Sequence, residues 1–126
     1  MEKQVLVVDD HPAMLKLIAD ALNDAGYAVI SAENGRDGLG EVEEKRPDLV
    51  VLDLSMPLMD GLQVLRALRS KPETELLPVI VLTGKDTHAD VLDSWMGGAD
   101  RFLTKPCSMA ELIETIGQIL AVPAPH

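Results

Sequence analysis

Six polar residues stand directly at the ends of short apolar runs in this sequence of 126 residues. They are Asp9, Asp10, Asp53, Thr83, Thr104 and Lys105. If the runs lie side by side, three carboxylates share one site, and keeping all of them ionised requires a counter-cation. Lys105 supplies a single positive charge, so the three aspartates indicate a divalent ion.

Oxygen ligands favour Mg²⁺ over zinc, and the sequence has no cysteine and histidine spacing that suits zinc. The three histidines, His11, His88 and His126, are predicted to face solvent. Mg²⁺ usually completes its coordination shell with water and phosphoryl oxygens, and carboxylates are known covalent phosphoryl acceptors. The residues therefore predict a Mg²⁺-dependent aspartyl-phosphate site.

The apolar runs themselves predict the strands that position these groups. Runs at residues 5–8, 49–52 and 79–82 lack alternation between apolar and polar residues, which is typical of strands buried on both faces. A shorter run at 101–103 and a weaker candidate at 27–31 bring the predicted strands to five.

Five segments with apolar residues at helical spacing alternate with the strands. Pro12 suits the first turn of the first helix, and Gly26 its end, although Asp10 could also be its N-cap. Asp60 is the predicted N-cap of the third helix, and Ser108 with Glu111 forms a capping box before the last. The segments cover residues 12–25, 34–45, 62–68, 91–96 and 108–120.

Alternating strands and helices predict an α/β fold, a doubly wound parallel sheet with right-handed crossovers and helices on both faces. In such sheets ligands bind outside the carboxyl ends of the strands, where the strand order reverses. The six polar residues all follow strands at that edge. They are therefore expected to meet in one crevice although they are far apart in the chain.

Composition excludes several classes of protein. The 21 acidic residues exceed the 11 Lys and Arg, and a net charge of −10 argues against binding nucleic acid or anionic membranes. A single cysteine, Cys107, rules out an internal disulfide and fits a reducing compartment. Asp9 and Asp10 come too early for a signal-peptide core, and no apolar run approaches membrane-spanning length. We expect a soluble cytoplasmic domain.

Four segments together carry a specific resemblance in their order and spacing. They are residues 7–10 (VVDD), 52–61 (LDLSMPLMDG), 82–84 (LTG) and 98–106 (GADRFLTKP). The chain resembles a response-regulator receiver domain of two-component signalling over residues 4–121. The resemblance implies a flavodoxin-like fold with five parallel strands in the order 2-1-3-4-5.

The resemblance also implies residue roles at the predicted site. Asp53 looks like the phosphoacceptor, with Asp9, Asp10, Asp53 and the carbonyl of Ser55 as the protein ligands of Mg²⁺. Lys105 looks like the lysine that pairs with a phosphoryl oxygen. The phosphoryl group would come from a sensor histidine kinase or a histidine phosphotransfer protein.

A conformational switch is implied by the same comparison. Thr83 resembles the hydroxyl residue that moves onto the phosphoryl group, and Phe102 occupies the aromatic switch position. The family commonly has Tyr there, and Phe102 cannot donate a hydrogen bond, so its inward state rests on burial alone. The Lys105–Pro106 bond is expected to be cis.

The expected output is altered partner binding rather than enzymatic turnover. The face of the fourth and fifth strands and helices would change, and the face of these two helices is a possible homodimer surface. Residues 1–122 would form the receiver domain, and residues 123–126 a tail or the start of a linker.

Two alternatives remain open. A scaffold with the same fold could bind partners without phosphorylation, although it would have no reason to keep Thr83 and Lys105. An enzyme is the other: a haloacid-dehalogenase-like phosphatase needs an aspartate at position 55, where this chain has Ser55. A flavin carrier needs aromatic stacking, and aromatic residues are only 2% of the sequence.

Overall fold

Five parallel strands form one sheet in the computed structural model, which describes residues 2–53, 58–83, 98–104 and 108–121. The strand order is β2-β1-β3-β4-β5, so the predicted fold class and strand order are confirmed. The strands are β1 (Gln4–Val8), β2 (Ala28–Ala32), β3 (Leu49–Asp53), β4 (Val79–Thr83) and β5 (Arg101–Thr104). The weaker strand candidate at 27–31 is also confirmed, with a shift of one residue.

Four helices are described, and they cover both faces of the sheet. They are α1 (Pro12–Asp24), α2 (Gly35–Lys45), α3 (Leu58–Arg69) and α4 (Met109–Ala121). The predicted helix at 91–96 lies outside the described residues. None of the described helices has the length and apolar character that crossing a bilayer requires.

Two apolar clusters, one on each face of the sheet, form the core. Leu6 and Val8 of β1 belong to the cluster that contains the buried residues of α2 and α3. Val5 and Val7 belong to the cluster that contains those of α1 and α4. Successive residues of a strand point to opposite faces, and here both faces are covered by helices. This explains why the run at 5–8 is apolar throughout.

Most helix ends that were predicted from single residues in the sequence agree with the structure. Pro12 begins α1, and Gly26 follows it with a φ of 99°, a left-handed conformation that glycine adopts without steric cost. The Ser108 hydroxyl accepts a hydrogen bond from the Glu111 amide at 3.0 Å, as the capping box predicts. The N-cap assignment of Asp60 is wrong, because α3 begins at Leu58. An aspartate is favoured both at the N-cap and within the first turn, where it meets the positive end of the helix dipole, so residue type alone does not distinguish the two positions.

Gly38 allows α2 to pack closely against the end of β1. A Cβ at this position would lie 2.9 Å from Cγ2 of Val8, a fully buried side chain. Val8 has little freedom to move, because its branched side chain is restricted at χ1. The glycines of α2 lower its helix propensity, but Gly38 has a packing role. Val8 immediately precedes Asp9, so this contact supports the chain where the candidate site begins.

The Gly38→Ala variant is expected to be less stable than the native protein. Overpacking costs roughly 1–3 kcal/mol and outweighs the gain in helix propensity of about 1 kcal/mol. Gly40 is the matched control in the same helix, because a Cβ there would meet no atom within 4 Å. Gly40→Ala should raise the free energy of unfolding by up to about 1 kcal/mol. Urea denaturation of both variants tests this, and a stabilised Gly38→Ala would contradict the packing role.

Candidate functional site

The register of the sheet brings the predicted site residues to one edge. Val8 lies beside Leu52 in the β1–β3 pair, so Asp9 and Asp53 both follow this pair of neighbours in the chain. Thr83 lies beside Thr104 at the end of the β4–β5 pair. Asp53, Thr83 and Thr104 are thus the last residues of β3, β4 and β5 at the carboxyl edge of the sheet. Asp9 follows β1 at the same edge.

Part of the predicted site lies outside what the structure describes. Ser55, Lys105 and the Lys105–Pro106 bond fall outside the described residues, and so do the side chains of Asp53 and Thr83. Their predicted roles remain predictions. Among the predicted ligands of Mg²⁺, the side chains that the structure describes are those of Asp9 and Asp10, and the predicted switch residue Phe102 on β5 is described as well.

Asp9 is held between β1 and α1. Its amide donates to the carbonyl of Ala32 at 3.0 Å and so extends the pairing of β1 with β2 by one residue. One carboxylate oxygen, Oδ1, accepts the His11 amide at 2.9 Å. The residue has no solvent exposure, so its carboxylate is a buried charge at the carboxyl edge of the sheet. Burying such a charge is costly unless donors or cations compensate it.

Asp10 and His11 lie beside this carboxylate but are more exposed. Nδ1 of His11 is 3.0 Å from Oδ1 of Asp10 and 3.5 Å from Oδ1 of Asp9. The His11 side chain is 63% exposed and that of Asp10 is 38% exposed. His11 faces solvent as predicted, but its contact with both carboxylates was missed. The adjacency of a histidine to two strand-ending aspartates was the available signal.

The alternative role of Asp10 as a helix cap is not observed. The N-cap of α1 is His11, with an extended backbone at φ −100° and ψ 107° and no side-chain capping hydrogen bond. The Asp9 carboxylate accepts the His11 N–H. Asp10 therefore precedes the N-cap of α1 and lies next to the buried carboxylate of Asp9.

This group of side chains fits a divalent cation. One ligand atom from each of Asp9, Asp10 and His11 lies within 4.8 Å of the others. Two carboxylates, one buried and one partly exposed, match the way Mg²⁺ is held by one or two carboxylates and completes its shell with water or phosphate. The imidazole nitrogen is a softer ligand, so the oxygens of Asp9 and Asp10 carry the fit to Mg²⁺.

The sheet order and the acidic group at its carboxyl edge define a flavodoxin-like α/β protein with a candidate cation site. Comparison with known protein families agrees with a flavodoxin-like α/β protein. The response regulator receiver domain family matches residues 5–117, so the chain belongs to this family of signalling proteins.

Relatives of two lengths match the chain. Protein PilH of Pseudomonas aeruginosa is 37% identical over 118 residues, covering 94% of this chain and 98% of PilH. The alkaline phosphatase synthesis transcriptional regulatory protein PhoP of Bacillus subtilis is 38% identical over 120 residues. That match covers 95% of this chain and 49% of PhoP, so the chain spans about half the length of this relative.

A solved structure of similar fold is the chemotaxis response regulator CheY4 of Vibrio cholerae. It superposes with a TM-score of 0.85 at 28% sequence identity, over 94% of this chain and 99% of CheY4. The likeness therefore extends over nearly the whole of both chains.

Mg²⁺ is expected to stabilise the protein against unfolding through Asp9 and Asp10. A ligand at one hundred times its Kd adds about 2.7 kcal/mol to the free energy of unfolding. Asp9→Asn should bind Mg²⁺ at least about tenfold more weakly, since it removes a charged oxygen ligand. Urea unfolding with and without Mg²⁺ measures the effect.

The control variant is Asp20→Asn, which alters an exposed carboxylate that pairs with Lys16 on α1. It should keep the full response to Mg²⁺. An Asp9→Asn protein that Mg²⁺ stabilises as much as the native chain would show that the cation is not held here.

Proposed function

We propose that this receiver domain accepts a phosphoryl group on Asp53 from a phosphohistidine donor and, in response, changes which partners it binds. The observation that carries the proposal is the buried Asp9 beside Asp10, at the edge where β3 ends in Asp53. Because β1 and β3 are direct neighbours in the sheet, the backbone of Asp53 ends its strand next to the point where Asp9 follows β1, which supports a shared site. Membership in the receiver family supports the same assignment.

The proposed step exchanges one phosphorus bond for another. A carboxylate oxygen of Asp53 forms the new P–O bond while the P–N bond to the donor histidine breaks. The electron pair of that bond returns to the imidazole nitrogen of the donor. Asp53 therefore acts as a nucleophile, and its ionised form needs no proton removed.

The remaining residues would hold the transferring group and stabilise its charge. Negative charge spreads over three phosphoryl oxygens in the transition state, so catalysis depends on positioning and electrostatic stabilisation. Mg²⁺ held by Asp9, Asp10, Asp53 and the Ser55 carbonyl would neutralise part of this charge. Lys105 would pair with one phosphoryl oxygen, and the Thr83 hydroxyl would donate to another.

The output is proposed to pass through Phe102 on β5. This side chain is partly buried and packs against the apolar cluster on the α2–α3 face. The new phosphoryl group adds a charge of about −2. It would recruit Thr83 and free space for Phe102 to turn inward, which would bias the face of β4 and β5 between two states. Phe102 has no hydroxyl, so burial alone would favour the inward state.

The proposed partners follow from this chemistry. The donor would be a sensor histidine kinase or a histidine phosphotransfer protein, and the reaction would take place in the cytoplasm. A homodimer could form through the face of α4 and the predicted helix at 91–96. Its acidic composition makes the domain itself unsuited to nucleic acid or membrane binding.

Incubation with acetyl phosphate and Mg²⁺ should add one phosphoryl group to the native protein. Asp53→Asn should gain none, because an amide oxygen is a poor nucleophile and the phosphoryl acceptor is lost. Intact-mass spectrometry measures both. Asp20→Asn removes an exposed carboxylate on α1 and should be phosphorylated like the native chain.

Two results would contradict the proposal. Phosphorylation of Asp53→Asn would show that another residue is the acceptor. A native protein that gains no phosphoryl group, and whose partner affinity fluoroberyllate leaves unchanged, would instead be a phosphorylation-independent scaffold.

A further inference from the structure

Arg69, the last residue of α3, bonds to two other segments at the amino edge of the sheet, the connection before β4 and the segment before β5. Its Nε donates to the carbonyl of Gly98 at 2.7 Å. Its Nη1 donates to the carbonyls of Thr74 at 3.1 Å and Leu77 at 2.8 Å. Its Nη2 is 3.2 Å from Oδ2 of Asp100. The rigid guanidinium thus uses all three nitrogens, a pattern that the single ammonium of lysine cannot reproduce.

Asp100 in turn attaches the start of β5 to the start of β4. Its carboxylate Oδ2 accepts the amide of Val79 at 2.8 Å, and its own amide donates to the carbonyl of Val79 at 2.9 Å. Both backbone groups of Val79 are therefore bonded to one residue. This arrangement sets the register in which Ile80 lies beside Arg101.

Close packing brings the segment before β5 within reach of Arg69. A Cβ at Gly98 would lie 3.0 Å from Cγ of Leu65, a buried residue of α3. The absence of a side chain at Gly98 lets its backbone approach α3, where its carbonyl meets Nε of Arg69. Packing and hydrogen bonding therefore hold the same segment.

The register matters because β5 is short and lies at the edge of the sheet. It has four residues and, among the described strands, pairs with β4 alone. A slip of one residue would turn every side chain of a strand to the opposite face. The same register places Thr83 beside Thr104 at the other end of this pair, and Lys105 is the next residue in the chain.

We propose that Arg69 and Asp100 are positioning residues for phosphoryl transfer, acting through the register of β5 on β4. They lie at the amino edge, at the end of the β4–β5 pair opposite to Thr83 and Thr104. Since a strand rises about 3.3 Å per residue, Asp100 and Thr104 are roughly 13 Å apart along the direction of β5. The register set at Asp100 would therefore affect the position of Thr104 over this distance. This inference rests on the proposed function, because it assigns a role toward Thr83 and Lys105.

The rate of phosphorylation by acetyl phosphate tests the proposal. Asp100→Ala removes the acceptor for Val79 and the charge facing Arg69, and we expect phosphorylation of Asp53 to slow by about tenfold. Mg²⁺ affinity should stay within about twofold of the native value, because Asp9 and Asp10 are positioned by β1. A general loss of structure would lower both the phosphorylation rate and the Mg²⁺ affinity. A lower rate with unchanged Mg²⁺ affinity therefore indicates a positioning role.

Asp100→Asn is the conservative variant. Its amide oxygen can still accept the Val79 amide, but it lacks the charge for Arg69, so its rate should fall between those of the native protein and Asp100→Ala. Arg69→Lys should slow phosphorylation in the same way, since it loses the multiple bonds to separate segments. If Asp100→Ala does not fold, the phosphorylation rates of Asp100→Asn and Arg69→Lys test the positioning role.

Lys71→Ala is the matched control. It removes the ion pair in which Nζ of Lys71 lies 2.8 Å from Oε1 of Glu43, beside the same connection between α3 and β4. The pair joins α2 to this connection and does not involve β5. The control should be phosphorylated at the native rate.

Amide hydrogen exchange gives a second readout that does not depend on phosphorylation. The amides of β5 should exchange about fivefold faster in Asp100→Ala, the change produced by losing one hydrogen bond, while those of β1 stay unchanged. Native phosphorylation rates in Asp100→Asn and Arg69→Lys would overturn the proposal, as would unchanged β5 exchange in Asp100→Ala. If the native protein itself is not phosphorylated, the proposed function fails, and a positioning role toward phosphoryl transfer fails with it. Faster β5 exchange would then still support the register effect.

Discussion

Burial of both faces of the parallel sheet is the constraint on which the rest of the structure depends. The residues of β1, β3 and β4 supply both apolar clusters, so their interiors have no room for polar side chains. Buried polar groups need partners, and these are most accessible where strands end. Functional groups therefore concentrate at the edges of the sheet. Asp9 marks the transition, because it is fully buried and directly follows the apolar Val8.

The two edges of the sheet use charge differently. At the amino edge, Arg69 and Asp100 form an ion pair whose groups also bond to the backbone. At the carboxyl edge, acidic groups gather and favour a cation. Exposed ion pairs contribute less to stability than such networks do. In one exposed pair, the Lys71 ammonium lowers the pKa of Glu43, and the Glu43 carboxylate raises the pKa of Lys71. Both side chains are exposed, and exposed pairs add little to stability.

Patterns within short segments predicted most of the fold. Apolar runs identified the strands, and Pro12, Gly26 and Ser108 marked helix ends through effects of neighbouring residues. Asp60 was misassigned because aspartate is favoured both at the N-cap and within the first turn of a helix. His11 was predicted to be exposed, but its position between two carboxylates depends on how the chain turns from β1 into α1.

The sequence by itself determined the alternation of strands and helices and the polar residues at the carboxyl ends of four strands, because both depend on local periodicity and composition. Its resemblance to receiver domains supplied the strand order. The tertiary structure alone decided the burial of Asp9, the close approach of Gly38 to Val8, and the network of Arg69 with Asp100. These contacts join segments far apart in the chain, 31 residues in the last case. Patterns within short segments cannot predict such contacts, because the contacts form only when strands pair and helices pack.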